Sequence, residues 1–359
     1  MKSGAFKISG IDSLRFICAL WVVFSHLGPF PLHFAHTPDV SISSTLRGLY
    51  GSLHNGPAAV IIFFIISGFC IHYPYRKLNQ IPVLEFLCRR YLRIGIPLLI
   101  ATGLACWLDV GALIIQPGSL VISRTKILQV EDTDIGIVWS LVCELIYYGL
   151  YPVIFLLARR QGWRIVIGTA YLLALAVICL RPSAHSYPAY GNLLTWCVGL
   201  PCWLLGCLLA ESSDAAAPKE IRRPEIWFWR ATVWAFSSIA LLLRFHTPVG
   251  YPWTLTLFGA LCFFWLRLEI AYFRVQKPFR LLEWAGTWSY SIYLGHELVI
   301  PFFSKVGISI PTSNFISVPL WGLRMLTVLA FCLGFYWLFE FPAHQLARIV
   351  GKRIAQSKT

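Results

Sequence analysis

The chain is poor in charge. Only 13% of its 359 residues are Asp, Glu, Lys or Arg, and just 16 are acidic. Soluble domains run near a quarter charged because their surfaces must face water. With 57% hydrophobic residues, this chain would expose too much apolar area as a water-soluble monomer. It also lacks any CxxC pair among its 11 cysteines; Cys197, Cys202 and Cys207 are spaced by five, which is not metal-ligand spacing. These thiols are expected to pack as small hydrophobes, and no metal site is expected. There is no separate soluble stretch and no internal repeat of the kind that marks many transporters. No convincing cleavage site follows the first apolar run, so that run is expected to be retained as a span.

What the chain has is apolar length. A spanning helix takes about 20 residues, and ten segments qualify: 12–31, 57–75, 94–115, 138–157, 164–181, 190–210, 227–244, 250–271, 284–303 and 318–341. Segment 94–115 holds Asp109, and 284–303 is rich in polar residues. The expected fold is an all-α integral membrane protein, one domain over 1–359 with its core at 8–345 and a short basic tail at 346–359. The 15 Trp, 25 Phe and 15 Tyr suit interfacial belts and lipid-facing packing.

Loop cations give the orientation. With the N-terminus in the cytoplasm, 21 of the 30 Lys and Arg fall on inside segments. Arg47, Arg124, Lys126, Arg181, Arg244 and Lys305 fall outside, and Arg15, Arg230 and Arg324 lie in or at the ends of spans. An even number of spans returns the C-terminus to the cytoplasm. The net charge of +14 reflects this asymmetry and suits anionic lipid headgroups. It is split among short loops, unlike the basic face of a nucleic-acid-binding domain. The acidic cluster Glu131, Asp132 and Asp134, in an outside loop, reads as a solvated turn.

Ionisable side chains inside a span are expensive and mark functional candidates. The first span carries Asp12, Arg15 and His26. Arg15 and His26 are eleven residues apart, so they share a helix face at ~16 Å separation along the axis. Histidine is the usual base for deprotonating a hydroxyl; a packing histidine bonded to a neighbour is the plain alternative. At the cytoplasmic entry to the third span, Arg89, Arg90 and Arg93 share a helix face. Their planar forks suit phosphate, and ordinary positive-inside anchoring explains them equally well. Glu144 enters from the outside to a depth of ~9 Å, similar to that of His26. A carboxylate there would fix the imidazole tautomer and stabilise imidazolium. His296 and Glu297 reach a comparable level and are the alternative base or partner.

Taken in order, these elements resemble the acyltransferase 3 family of bacterial membrane O-acyltransferases. They are Ile11-Asp-Ser-Leu-Arg15 with ten residues before His26, Phe63-Phe-Ile-Ile-Ser-Gly-Phe69, Arg89-Arg-Tyr-Leu-Arg-Ile-Gly-Ile-Pro97, Trp139-Ser-Leu-Val-Cys-Glu144 and Ser289-Tyr-Ser-Ile-Tyr-Leu-Gly-His296. The resemblance implies about ten helices around a central pore in the bacterial cytoplasmic (inner) membrane. It implies acyl-CoA, usually acetyl-CoA, as cytoplasmic donor and a surface carbohydrate, lipid-linked glycan or other hydroxyl compound as acceptor. By the same resemblance, His26 corresponds to the essential histidine, Arg15 to its paired arginine, and Arg90 and Arg93 to an Arg-x-x-Arg pair holding the CoA phosphates, with Arg89 beside them. Glu144 matches the acidic position of its motif. Ser67, Trp139 and His296 are expected to contact substrate. Gly295 departs from the pattern, standing where an aromatic residue commonly precedes the histidine.

Two other classes fit the composition. A transporter or flippase for a lipid-linked glycan uses ten spans and intramembrane charge equally well, but needs no phosphate clamp aligned with an intramembrane base. A non-catalytic assembly subunit would tolerate replacement of His26 and Arg15.

Overall fold

The apolar segments fold into helices throughout: the computed structural model describes residues 8–32, 40–109, 138–213, 221–310 and 317–357, with no strand among them. Glu131, Asp132 and Asp134 lie outside the described residues. The helices are α1 (Ile11–Leu27), α2 (Val40–Ser52), α3 (Gly56–His72), α4 (Val83–Trp107), α5 (Val138–Gln161), α6 (Trp163–Leu180) and α7 (Gly191–Ser212). There follow α8 (Arg223–His246), α9 (Tyr251–Val275), α10 (Arg280–Gly286), α11 (Ser289–Gly295), α12 (Val299–Lys305), α13 (Val318–Phe335) and α14 (Phe341–Gln356).

Helix α1 runs between Gly10 and Gly28, both at φ +88°, where L side chains are disfavoured. The first N–H groups of a helix need outside acceptors. Here Glu283 of α10 supplies one: its Oε1 accepts from Gly10 N (3.1 Å), Ser13 N (3.0 Å) and Ser13 Oγ (2.7 Å). The two helices are pressed together at Gly286, where an added Cβ would lie 1.9 Å from the Asp12 carbonyl oxygen.

Helices α3 and α7 form the centre. Helix α3 is apolar on nearly every side, as a fully buried helix must be, and Asn55 caps it by accepting from Ala58 N (3.3 Å). It crosses α7 at backbone contact. A Cβ on Gly68 would sit 1.9 Å from the Trp203 carbonyl oxygen, and one on Gly206 would sit 2.0 Å from that of Ile65. Small residues let spanning helices approach this closely. The rim helices α6 and α8 turn Leu172, Leu180, Trp227, Phe228 and Phe245 outward.

Seven helical stretches among the described residues are long and apolar enough to cross a membrane, and the chain is a multi-pass membrane protein. Three expected spans do not reach that standard. Helix α1 has 17 residues, and α4 carries Glu85, Arg89, Arg90 and Arg93 in its first half. The expected continuous span 284–303 is instead broken into α10, α11 and α12. Gly286, Gly295 and Pro301 explain the breaks, because glycine and proline are the poorest helix formers. Backbone groups near the breaks find partners, as groups away from water need them: Leu298 N donates to Gly295 O (3.0 Å) and Ser291 N to the Glu340 carboxylate (3.1 Å).

The last helix does not stop near 341. A π-helical turn at Tyr336–Glu340 leads into α14, which packs along α4. Pro342 gives the turn its cause: proline has no N–H for the carbonyl one turn back and its ring crowds that carbonyl. The helix widens ahead of it, as π turns do at functional sites.

Candidate active site

His26 leaves α1 one residue from its end and meets the second break of segment 280–305. Its Nδ1 lies 2.7 Å from Glu297 Oε1 and 3.0 Å from His296 Nε2. The proton positions follow from the partners. His296 Nδ1 is 3.0 Å from the Ile292 carbonyl oxygen, which can only accept, so His296 carries its proton there and offers a lone pair at Nε2. Two acceptors therefore converge on His26 Nδ1, which must hold a proton. In the neutral imidazole Nε2 of His26 is then the lone-pair nitrogen, and it has no partner among the described residues. The His26 side chain is 34% exposed, Glu297 is 18% exposed and His296 is fully buried. A carboxylate against one ring nitrogen fixes the orientation of the imidazole, which is the geometry a histidine base requires.

His26 Nδ1, His296 Nε2 and Glu297 Oε1 lie within 4.8 Å of one another and form a conceivable cation-binding set. A tetrahedral zinc with bonds of about 2.0–2.1 Å needs ligand edges near 3.3 Å. The separations of 2.7 and 3.0 Å are those of hydrogen bonds, so the three groups read as sharing a proton.

The expected Glu144–His26 pair does not form. Glu144 Oε1 accepts from Ser67 Oγ (2.6 Å) and from the Tyr148 hydroxyl one turn along its own helix (2.5 Å). Both donors hold one oxygen of this half-buried carboxylate, and Glu297 takes the place beside the imidazole. Ser67 also accepts from Trp203 Nε1 (3.3 Å). Trp139 is stacked on Tyr187 (centroids 5.5 Å, 17°) and buried in the bundle, so its ring is occupied by packing. Gly295 has a local reason: a Cβ there would already lie 3.1 Å from Cys332 Sγ, with Phe331 behind it. The volume of an aromatic side chain is filled by α13.

At the other end of α1, Arg15 pairs with Asp12 at 3.7 Å and shares a field with Arg93, Glu340 and His344. The three arginines of α4 differ sharply. Arg89 is tied to Glu85 (2.7 Å), and its aliphatic stem lies in the gap above Gly351 of α14. Arg93 donates from Nε to His344 Nε2 at 2.9 Å. Arg90 has no hydrogen bond or ion pair among the described residues, and its charge acts on Tyr75, Tyr148 and Arg93.

A polar stripe joins the two ends. Tyr290, Tyr293 and Glu297 follow an i, i+3, i+7 spacing along segment 280–305. Tyr293 bonds to Ser140 (2.7 Å) and lies in the field of Glu297 and Glu144; Tyr290 bonds to the Ile94 carbonyl (2.9 Å) in the field of Glu144, Glu340 and Arg93. Sequence reasoning missed Glu340 and His344. Their signal was an i, i+4 acid–histidine pair flanking Pro342.

This arrangement defines a multi-pass membrane protein with an imidazole–carboxylate pair at one end and a group of arginines at the other. The chain belongs to the acyltransferase 3 family, whose acyltransferase domain matches residues 8–339. It is 24% identical over 323 residues to Acyltransferase MdmB of Streptomyces mycarofaciens, covering 82% of this chain and 80% of that protein. No solved structure matches the chain.

Proposed function

We propose that the protein is an O-acyltransferase of the bacterial cytoplasmic membrane. It moves an acyl group, acetyl foremost, from cytoplasmic acyl-CoA to a hydroxyl of a surface carbohydrate or related acceptor. The observation that carries this reading is the 2.7 Å contact between His26 Nδ1 and Glu297 Oε1, with no partner on His26 Nε2 among the described residues. Family membership supports the reaction class.

In the proposed reaction, His26 Nε2 takes the acceptor's hydroxyl proton as its oxygen bonds to the thioester carbonyl carbon. The C–S bond then breaks, and the imidazolium returns the proton to the departing CoA thiolate. Glu297 stabilises the imidazolium between these transfers. Arg90 and Arg93 suit the CoA phosphates, because guanidinium forks bind two phosphate oxygens at once. An acyl-histidine on His26 is the other version, in which the same nitrogen attacks the thioester. Acyl exchange into CoA without acceptor would mark that version.

The proposed topology adds α1, α4 and the broken segment 280–305 to the seven long stretches, giving ten spans with both termini cytoplasmic. That orientation follows the Lys/Arg bias and would set the arginine end where acyl-CoA is found. The test is free CoA release by purified protein with acetyl-CoA and a crude glycan acceptor. Turnover by the wild type and its loss in His26→Ala is the expected result. Wild-type turnover retained in His26→Ala would sink the reading, and no turnover with any acyl-CoA would favour a transporter.

A further inference from the structure

Resting on that reading of the arginine end, we infer that Glu340 and His344 are positioning residues that hold Arg93 with its fork open toward the donor's phosphates. The argument begins with the atom that Arg93 uses. A guanidinium N–H can only donate, so the 2.9 Å contact from Arg93 Nε makes His344 Nε2 the acceptor. The imidazole is then neutral, with its proton on Nδ1. Arg93 is anchored through its inner nitrogen, and its two terminal nitrogens have no partner among the described residues.

A neutral acceptor is what this position requires. A carboxylate bonded directly to Arg93 would occupy the fork and cancel the charge meant for an anion. The imidazole fixes the side chain while leaving both untouched. Glu340 stands one step behind. Its Oε1 lies 3.4 Å from His344 Nε2, a nitrogen that has no proton to give it. Its Oε2 is held by Ser291 N (3.1 Å) and Ser291 Oγ (2.5 Å). Nearly fully buried, Glu340 offsets the combined charge of Arg93 and Arg15 from a distance.

The helix geometry serves the same end. Glu340 closes the π turn and His344 follows four residues later, so both face α4. Gly351, seven residues further on, receives the stem of Arg89. One face of α14 thus holds two arginines of α4, while Arg90 has no hydrogen bond or ion pair among the described residues.

The test is equilibrium binding of coenzyme A to the purified full-length protein, with pantetheine, which lacks the phosphates, as the control ligand. His344→Phe should weaken coenzyme A binding about tenfold, the size of one charge-assisted hydrogen bond, and leave pantetheine binding unchanged. His344→Gln, whose amide oxygen can accept from Arg93, should restore binding to within about threefold of wild type. The double variant Arg93→Ala/His344→Phe should bind no more weakly than Arg93→Ala alone, since both remove one interaction. A merely structural role predicts additive losses and equal weakening of pantetheine, which would overturn the inference. If Arg90→Ala and Arg93→Ala weaken coenzyme A binding while His344→Phe does not, the positioning role falls and the donor-site reading stands. If neither arginine matters, or the wild type binds no coenzyme A, both fall together.

Discussion

Glu297 meets His26 across 2.7 Å, joining a break late in the chain to the end of its first described helix. In the proposed reaction the carboxylate stabilises the charged imidazole. Glu297→Gln preserves shape and removes that charge. It should lower kcat roughly a hundredfold, within the range of general acid–base contributions, and change KM for acyl-CoA less than about threefold. His26→Ala should be at least as severe. Steady-state CoA release is the measurement, and a Glu297→Gln kcat within about threefold of wild type would remove the carboxylate from the mechanism.

Glu144 supplies the contrast. Its carboxylate is bonded to Ser67 and Tyr148, and Gln can keep much of that hydrogen bonding. Glu144→Gln should therefore lower kcat less than about tenfold in the same assay. The reverse order of severity, Glu144 above Glu297, would reinstate Glu144 as the partner of His26.

The arginines of α4 should separate by function. Arg90→Ala should raise KM for acyl-CoA by about tenfold or more, because a guanidinium on phosphate makes charge-assisted bonds. Arg89→Ala removes a partly exposed i, i+4 ion pair with Glu85, a kind worth only about 0.3–0.5 kcal/mol. Its KM should stay within about threefold of wild type. Equal effects of the two would mean that the arginines act as an undifferentiated basic patch.

The crossing of α3 and α7 should tolerate no added methyl group. In both Gly68→Ala and Gly206→Ala the new Cβ would run into backbone oxygen on the other helix. Such overpacking costs about 1–3 kcal/mol. Thermal unfolding in detergent should show a lower midpoint for each. Gly168→Ala, whose Cβ meets nothing within 4 Å, should match or slightly exceed the wild type, alanine being the better helix former.

Much of this architecture was legible in the sequence, and its limits are physical. Apolar runs located the helices, because hydrocarbon demands length. The expense of buried charge singled out Arg15, His26 and Glu144. Depth along a span, however, is one coordinate: it set Glu144 and Glu297 level with His26 without saying which faced it. That choice depends on how helices are rotated about their own axes, which packing decides. The split of segment 280–305 was written in Gly286, Gly295 and Pro301, yet glycine and proline are common enough in spanning helices that their presence did not demand a break. Glu340 and His344 escaped because the last apolar run fades near 341, while the helix continues on an amphipathic face packed against α4.

Helix α1 carries a last consequence. Arg15 and His26 ride on one helix with no proline and no interruption, and eleven residues of such a helix span ~16 Å. Loops and packed neighbours can shift, but this interval is set by the pitch of the backbone itself. The protein therefore holds a fixed gauge between its basic end and its imidazole. A ligand seated at one end presents its reactive group at the other only if its own length matches the rule.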